Sequence, residues 1–225
     1  MTIDKNPEKI KNMFNEISEK YDLINNIMSF GLHKLIKKEC IKSLDIKQND
    51  NVLDLCCGTG DLSRIIFSIE PNANITGVDF SEKMLEIAKN KFPRNLINYQ
   101  KGDATKLNFG NNSFDFVVMG FGLRNIENSE IAIQEIYRVL KPNGIFLHLD
   151  FGEKNFISKI FNFTTQIFAK ILTTKTDAYD YLISSKTEFA KPEDLIKIFE
   201  ENNFKLKEKK NYLFNVISSQ IMIKN

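Results

Sequence analysis

Apolar residues between Ile10 and Leu44 recur at helical spacing and are interrupted around Gly31, in the MSFGL turn, which predicts two or three helices forming an N-terminal cap. From Asn51 the texture changes. Short apolar runs that end in Gly or Asp alternate with amphipathic helical stretches, the pattern of βαβ units in a parallel, doubly wound sheet. Asn51–Leu55, Asn74–Val78, Ile97–Lys101, Phe114–Met119 and Gly144–Asp150 are the predicted strands, and Asp61–Ile69, Glu82–Lys91 and Ser129–Leu140 the predicted helices. After Phe151 an aromatic-rich helical segment runs to about Leu172, a polar stretch follows, and a further helix begins at Pro192, whose ring suits a first turn. Phe204–Tyr212 and Asn215–Ile223 alternate apolar with polar residues across a very short connection and predict an antiparallel hairpin that closes the sheet. The expectation is one α/β domain: a helical cap over 1–45, a core over 46–150, and a lid helix with the closing hairpin over 151–225.

Composition narrows the class. With 225 residues, 42% hydrophobic and 27% charged, the chain is neither disordered nor fibrous. Its formal charge of +2 gives no reason to expect a nucleic-acid partner. Lysine far outnumbers arginine, which occurs only at Arg64, Arg94, Arg124 and Arg138, so a retained arginine marks a place where a planar, permanently charged fork is useful. Cys40, Cys56 and Cys57 offer no spaced pair for zinc or a disulfide framework, and no metal site is expected. The charged start MTIDKNPEKI lacks a signal-peptide core, and Phe156–Leu172 is too interrupted by polar residues to span a bilayer, so the expected location is cytoplasmic.

The first predicted strand runs into Asp54-Leu55-Cys56-Cys57-Gly58-Thr59-Gly60-Asp61, where Gly58 and Gly60 let backbone approach a ligand ahead of a helix N-terminus. Read as a dinucleotide loop, this segment has Ser63 in place of the third glycine and Asp61 where a pyrophosphate would lie, and both count against NAD. An acidic loop suits a cofactor with a cationic ammonium and no phosphate. Asp79 ends the second strand ~20 residues after the loop, placed to accept both hydroxyls of a ribose, while Ser81 caps the following helix. Asp103-Ala104, after the third strand, is placed to meet a base edge; a plain turn aspartate is the competing reading.

The series DLCCGTGD, GVD, GDA, FDFVV and RVLKPNG resembles that of class I S-adenosylmethionine-dependent methyltransferases. That resemblance implies a Rossmann-like, seven-stranded sheet with an antiparallel last hairpin. SFGLH, FGLRN and AYDYLISSKTEFAKPEDL narrow it to the quinone-biosynthesis C-methyltransferases, over nearly the whole chain. The implied cofactor is S-adenosyl-L-methionine, held by Asp54, Gly58, Thr59, Gly60, Asp79, Phe80, Asp103, Ala104 and Gly120, and the implied substrate is a prenylated hydroquinone. LKPNG replaces the family's commoner LKPGG, Gly120 stands where some relatives have Ser, and Lys170–Asp177 lacks the proline and glycine that many relatives carry.

FGLRN follows the fourth strand at the crevice where such folds hold ligands, so Arg124 is expected to stabilise a hydroquinone oxyanion and Asn125 to orient it or a water. The competing reading for Arg124 is a packed stem paired with a nearby acid. His33 in the SFGLH turn is a candidate general base, whereas His148 reads as a core histidine within a strand. Phe30, Phe121, Phe163 and Tyr179 are expected to line the substrate pocket. Phe156, Ile160, Phe163, Ile167 and Ile171, with Phe168 beside them, make an apolar face wider than one core stripe. That face fits a prenyl tail or peripheral contact with a membrane, against the alternative of packing on the sheet or on a second subunit. A methyltransferase for another small acceptor and a non-catalytic S-adenosylmethionine-binding protein are the rival functions.

Overall fold

In a computed structural model of the chain, the residues described are 4–29, 31–92, 96–153, 155, 158 and 176–225. Seven strands, β1 (Asn51–Leu55), β2 (Asn74–Asp79), β3 (Asn98–Lys101), β4 (Phe114–Gly120), β5 (Leu140–Phe151), β6 (Phe204–Tyr212) and β7 (Ile217–Lys224), form one sheet. The order is β3-β2-β1-β4-β5-β7-β6, and the sheet is parallel except for β7, which runs antiparallel to both neighbours. The doubly wound, Rossmann-like class and its antiparallel closing hairpin are as the sequence implies. The order reverses beside β1, so the carboxyl ends of β1, β2 and β4 open onto one crevice.

The cap is two helices, α1 (Pro7–Met28) and α2 (Leu32–Lys42), separated at Gly31, which has the left-handed φ of 74°. α3 (Asp61–Ile69), α4 (Glu82–Lys91) and α5 (Ser129–Val139) are the predicted crossover helices. Two expectations need correction. The stretch read as merely polar contains α6 (Thr176–Glu188), whose interrupted polar sequence hides the buried positions Ala178, Leu182 and Ser185. β5 begins at Leu140 and not at Gly144, because Leu140 already pairs with Phe114 before the register shifts at the KPN turn, where Asn143 takes a φ of 61°. α7 (Pro192–Glu201) starts where its proline predicts.

One sheet face packs on residues that include Ile36 and Ile41 of α2 and Ile66 of α3; the other packs on Ile133 and Ile136 of α5 and Phe199 of α7. α1 belongs to a separate small core, in which Ile17 and Ile24 meet Met84 of α4 and Leu182 of α6. Polar ties fix α1 over the crevice. Thr59 Oγ1 donates to Asp22 Oδ1 at 2.6 Å, Asp22 pairs with Lys91, and Ser81 Oγ donates to Asn15 Oδ1 at 2.7 Å. His148 is fully buried on β5, hydrogen-bonded through Nδ1 to Gln220 at 2.6 Å and ringed by Phe146, Phe189 and Phe199, the structural role its strand position implies. Among the described residues no helix is long and apolar enough to cross a membrane.

The loop after β1 rests on Tyr99 of β3. That ring lies across its register partner Gly77, where a Cβ would come within 2.5 Å of Cδ1, and reaches Gly60, where a Cβ would overlap the phenol. Gly60 also has a φ of +81°. Gly60→Ala is therefore expected to cost more than the ~1–2 kcal/mol of left-handed backbone alone, and Tyr99→Phe in the same chain to recover the part of the clash due to the hydroxyl, since the ring carbon still lies 2.9 Å from the added Cβ. Urea unfolding midpoints of the two variants check this.

Candidate functional site

Two cavities open at the crevice and share Tyr21, Cys56, Gly58, Gly120 and Phe121 as common wall. The first, about 160 Å³, is bounded by the β2 end (Asp79, Phe80), the turn after β3 (Asp103, Ala104) and Asn125. The second, about 120 Å³, is bounded by Asp54, Thr59, His33, Arg124, Phe151 and Lys186. Of the expected cofactor residues, Asp79, Phe80, Asp103 and Ala104 line the first cavity, Asp54 and Thr59 line the second with Arg124, and Gly58 and Gly120 border both.

Asp79 grips the loop that it faces. Its Oδ2 accepts from Gly58 N at 2.7 Å and its Oδ1 from Ser81 N at 2.8 Å. Burial raises its pKa, against the pull of the Ser81, Gly58 and Phe80 amides. Ser81 is itself the α4 cap, accepting from Met84 N at 3.2 Å. Asp103 Oδ1 accepts from the Thr105 amide and hydroxyl, each at 2.8 Å, so it serves the turn as well as bordering the cavity.

Asp54 is almost wholly buried on β1. Oδ2 accepts from Ser63 N and Oγ at 2.8 and 2.5 Å, whereas Oδ1 has no hydrogen-bond partner. Burial pushes this carboxyl up to about 7, although the Ser63 donors oppose the shift. Asp61 behaves oppositely: burial would raise it, yet His33, Lys37 and Arg64 outweigh burial and hold it well below the usual carboxylate range. Its Oδ2 lies 3.1 Å from Lys37 Nζ, so the acid that the sequence offers to a ligand ammonium is held here by a lysine of α2. Cys56 and Cys57 are free thiols pushed well up by burial, packing residues beneath the loop.

Arg124 sits in a short 3-10 turn (Leu123–Asn125) after β4 and is 4% exposed. Its Nη1 donates to Asp150 Oδ1 and to Phe121 O, both at 2.7 Å, while its Nε has no partner. The arginine is ion-paired with a buried acid, and it also walls the second cavity. Phe121 turns its backbone with a φ of 60°, which aims its carbonyl at Arg124 and at Asn125 Nδ2, 3.3 Å away, and leaves Asn125 Oδ1 buried without a partner.

His33, expected as a general base, lines the second cavity. Ser29 Oγ donates to Asn25 O at 2.7 Å and lies 2.5 Å from His33 Nδ1, while Nε2 faces Asp61 at 3.8 Å, beyond hydrogen-bond distance. Phe30, Phe163, the side chain of Tyr179 and the apolar segment Phe156–Leu172 lie outside the described residues.

Sequence reasoning missed Lys186. It projects from α6 with Nζ 4.2 Å from the centre of the Phe151 ring, on the wall of the second cavity. Burial, then the charge of Arg124, lowers its pKa to about 7, with Asp150 pulling the other way. One lysine among so many carries no signal until the fold sets it beside an arginine.

Residues 2–224 match the model of the ubiE/COQ5 methyltransferase family. The chain is 38% identical to a demethylmenaquinone methyltransferase of Staphylococcus aureus over 207 residues, covering 88% of this chain and 86% of that protein. The fold is similar to that of an S-adenosylmethionine-dependent methyltransferase from Thermotoga maritima, with a TM-score of 0.70 at 19% identity over 96% of this chain and 100% of that one. It is also similar to the [4+2]-cyclase SpnF, with a TM-score of 0.73 at 13% identity over 100% and 98% of the two chains.

The raised carboxyl of Asp54 has a measurable sign. Between the ordinary value of 3.8 and about 7 the folded protein holds a proton that the unfolded chain releases, so stability falls as pH rises through that window and levels off above it. Asp54→Asn is expected to shrink the gap between urea midpoints measured at the two ends of that window, leaving the part due to Asp79, which is raised in the same sense.

Proposed function

Because the chain belongs to the ubiE/COQ5 methyltransferase family, we propose that it transfers a methyl group from S-adenosylmethionine to a ring carbon of a prenylated hydroquinone, with demethylmenaquinol as the preferred acceptor. The observation that carries this reading is the pair of cavities joined at Gly58, Gly120 and Phe121, one walled by strand-end carboxylates and the other by a buried guanidinium. A reacting centre at their junction has the donor on one side and the acceptor on the other.

The first cavity suits S-adenosylmethionine on its own chemistry. Asp79 borders it as a carboxylate with acceptor capacity for a ribose diol, Asn125 Oδ1 is a buried acceptor with no protein partner, and Asp54 Oδ1, on the second cavity beyond the shared wall, is another. At Gly58 an added Cβ would meet nothing within 4 Å, so backbone there borders open space. When bound, the cofactor supplies an electrophilic methyl on a positively charged sulfur. The protein's task is on the acceptor side, since a ring carbon attacks well only when a neighbouring hydroxyl oxygen carries negative charge. Arg124, fixed by Asp150 and by the Phe121 carbonyl, holds that oxyanion without having to reorganise, and Asn125 orients the ring. Phe121 and Phe151, with ring centres 5.2 Å apart, flank the flat substrate. We assign the prenyl tail and any peripheral membrane contact to the segment containing Phe163 and Phe168, and co-sedimentation of the protein with anionic lipid vesicles tests that contact.

Incubation with S-adenosylmethionine and a short-chain demethylmenaquinol, followed by mass analysis of the quinol, should yield a product heavier by one methylene. Absence of that product refutes the acceptor. Asp79→Ala should weaken S-adenosylmethionine binding about ten- to a hundredfold in calorimetry, the effect of losing hydrogen bonds to a charged group worth roughly 1.5 to 3 kcal/mol. For Arg124 the informative variant is Lys, because Ala would strand the buried Asp150 and cost about 3 to 5 kcal/mol of stability. Arg124→Lys should lower turnover about a hundredfold while cofactor affinity stays within threefold, since lysine lacks the planar fork that meets Asp150, Phe121 O and substrate together.

A further inference from the structure

The hydroquinone must lose a proton before its ring carbon can attack, and the side chains around the second cavity differ in what already faces them. His33 faces Ser29 and Asp61, Lys37 is paired with Asp61, and Arg124 cannot accept. Asp54 has one oxygen committed to Ser63 and is assigned above to the cofactor. Cys56 and Cys57 are thiols pushed well up by burial, and Tyr21 lies on the wall shared with the first cavity, so among the described residues Lys186 is, apart from the paired Lys37, the amine directed at the second cavity.

We propose that the amine of Lys186 is the proton acceptor for the substrate hydroxyl, working beside Arg124, which holds the oxygen left behind. The assignment rests on the acceptor being a hydroquinone, as argued above.

The geometry comes from α6. Ala178, Leu182 and Ser185 are its buried positions, and Lys186, one turn beyond Leu182, reaches the ring of Phe151. The same ring carries the Arg124 guanidinium, whose Cζ lies 5.0 Å from its centre. Two cations are thus directed at one aromatic ring, where the acid acting on both is Asp150. That acid is already engaged, for Oδ1 accepts from Arg124 Nη1 at 2.7 Å and from Phe151 N at 2.8 Å. With one carboxylate for two cations, the lysine is the one that gives up its charge, since a guanidinium keeps its proton throughout the accessible pH range. The shift to about 7 follows from burial first and Arg124 second, and it places the amine where a base is most effective. Lys5, ahead of α1, is likewise lowered by burial, with Glu188 and Arg124 acting on it, but it borders the first cavity.

The proton balance is simple. The hydroxyl O–H breaks and an N–H forms on Lys186, and the oxygen's electron pair passes through the ring to the carbon that bonds the methyl, whose former bonding pair remains on sulfur. The methylated carbon then loses its hydrogen to water, the ring recovers its aromaticity, and the oxygen takes a proton back from the Lys186 ammonium. One proton is released overall and the lysine is regenerated.

The test measures turnover of reduced short-chain demethylmenaquinol by the intact protein from about pH 5 to about pH 9, with S-adenosylmethionine affinity measured in parallel. Wild-type kcat should rise through neutrality to a plateau. Lys186→Met should lower that plateau about a hundredfold or more, abolish the neutral limb and leave cofactor affinity unchanged, and Lys186→Arg should not rescue it. As a readout independent of turnover, the carbon-13 dimethyl resonance of reductively methylated Lys186 should titrate near neutrality. Retention of turnover within threefold by Lys186→Met, rescue by Lys186→Arg, or titration only near the ordinary lysine value of about 10.4 overturns the assignment while leaving the substrate intact. A wild-type protein that binds S-adenosylmethionine yet methylates no quinol overturns both.

Discussion

A guanidinium and a carboxylate, exposed by only 4% and 1%, face each other between the turn after β4 and the end of β5. Withdrawing two charges from water is expensive, and the pair stands because its geometry is good and further donors and acceptors complete it. Asp150 accepts the Phe151 amide as well as the arginine, and Arg124 also donates to the Phe121 carbonyl. This interaction fixes the left-handed turn at Phe121, which supplies the wall common to the two cavities. It also sets the potential in which Lys186 loses its proton. Removing the acid would therefore alter a wall, a donor and a base together.

The same economy of parts governs the cofactor side. Asp79 is at once an anchor for the β1 loop, through Gly58, and an acceptor with capacity left over. Gly60 and Gly77 are small because Tyr99 occupies the volume that their side chains would need. The residues that meet a ligand are thus placed by neighbours two strands away. A fold of this kind also hosts other chemistry, as its likeness to a [4+2]-cyclase illustrates, so the side chains of the crevice decide what the sheet is used for.

Much of this was legible in the sequence because it is local. Strand and helix boundaries from Asn51 to Val139 follow from apolar period and from the loop and cap residues Gly58, Gly60 and Ser81, and they agree with the structure to within a residue or two. The positions of Asp79, Asp103 and Arg124 at strand ends follow from the same pattern. What stayed hidden depends on contacts far apart in sequence. Asp150 is paired with Arg124 across 26 positions, Asp61 is met by Lys37 across 24, and Thr59 by Asp22 across 37. α6 escaped because its buried positions alternate with serine, lysine and aspartate, leaving no continuous apolar stripe. The setting of Lys186 beside Arg124 and the contact of His33 with Ser29 are facts of three-dimensional placement, which no spacing rule contains.

α1 is tied to the crevice by Asp22 on Thr59 and by Asn15 on Ser81, and its Phe14 and Tyr21 wall the first cavity. The width of the first cavity is therefore coupled to where α1 lies, and α1 is held there by two hydrogen bonds and by a small apolar core separate from those of the sheet.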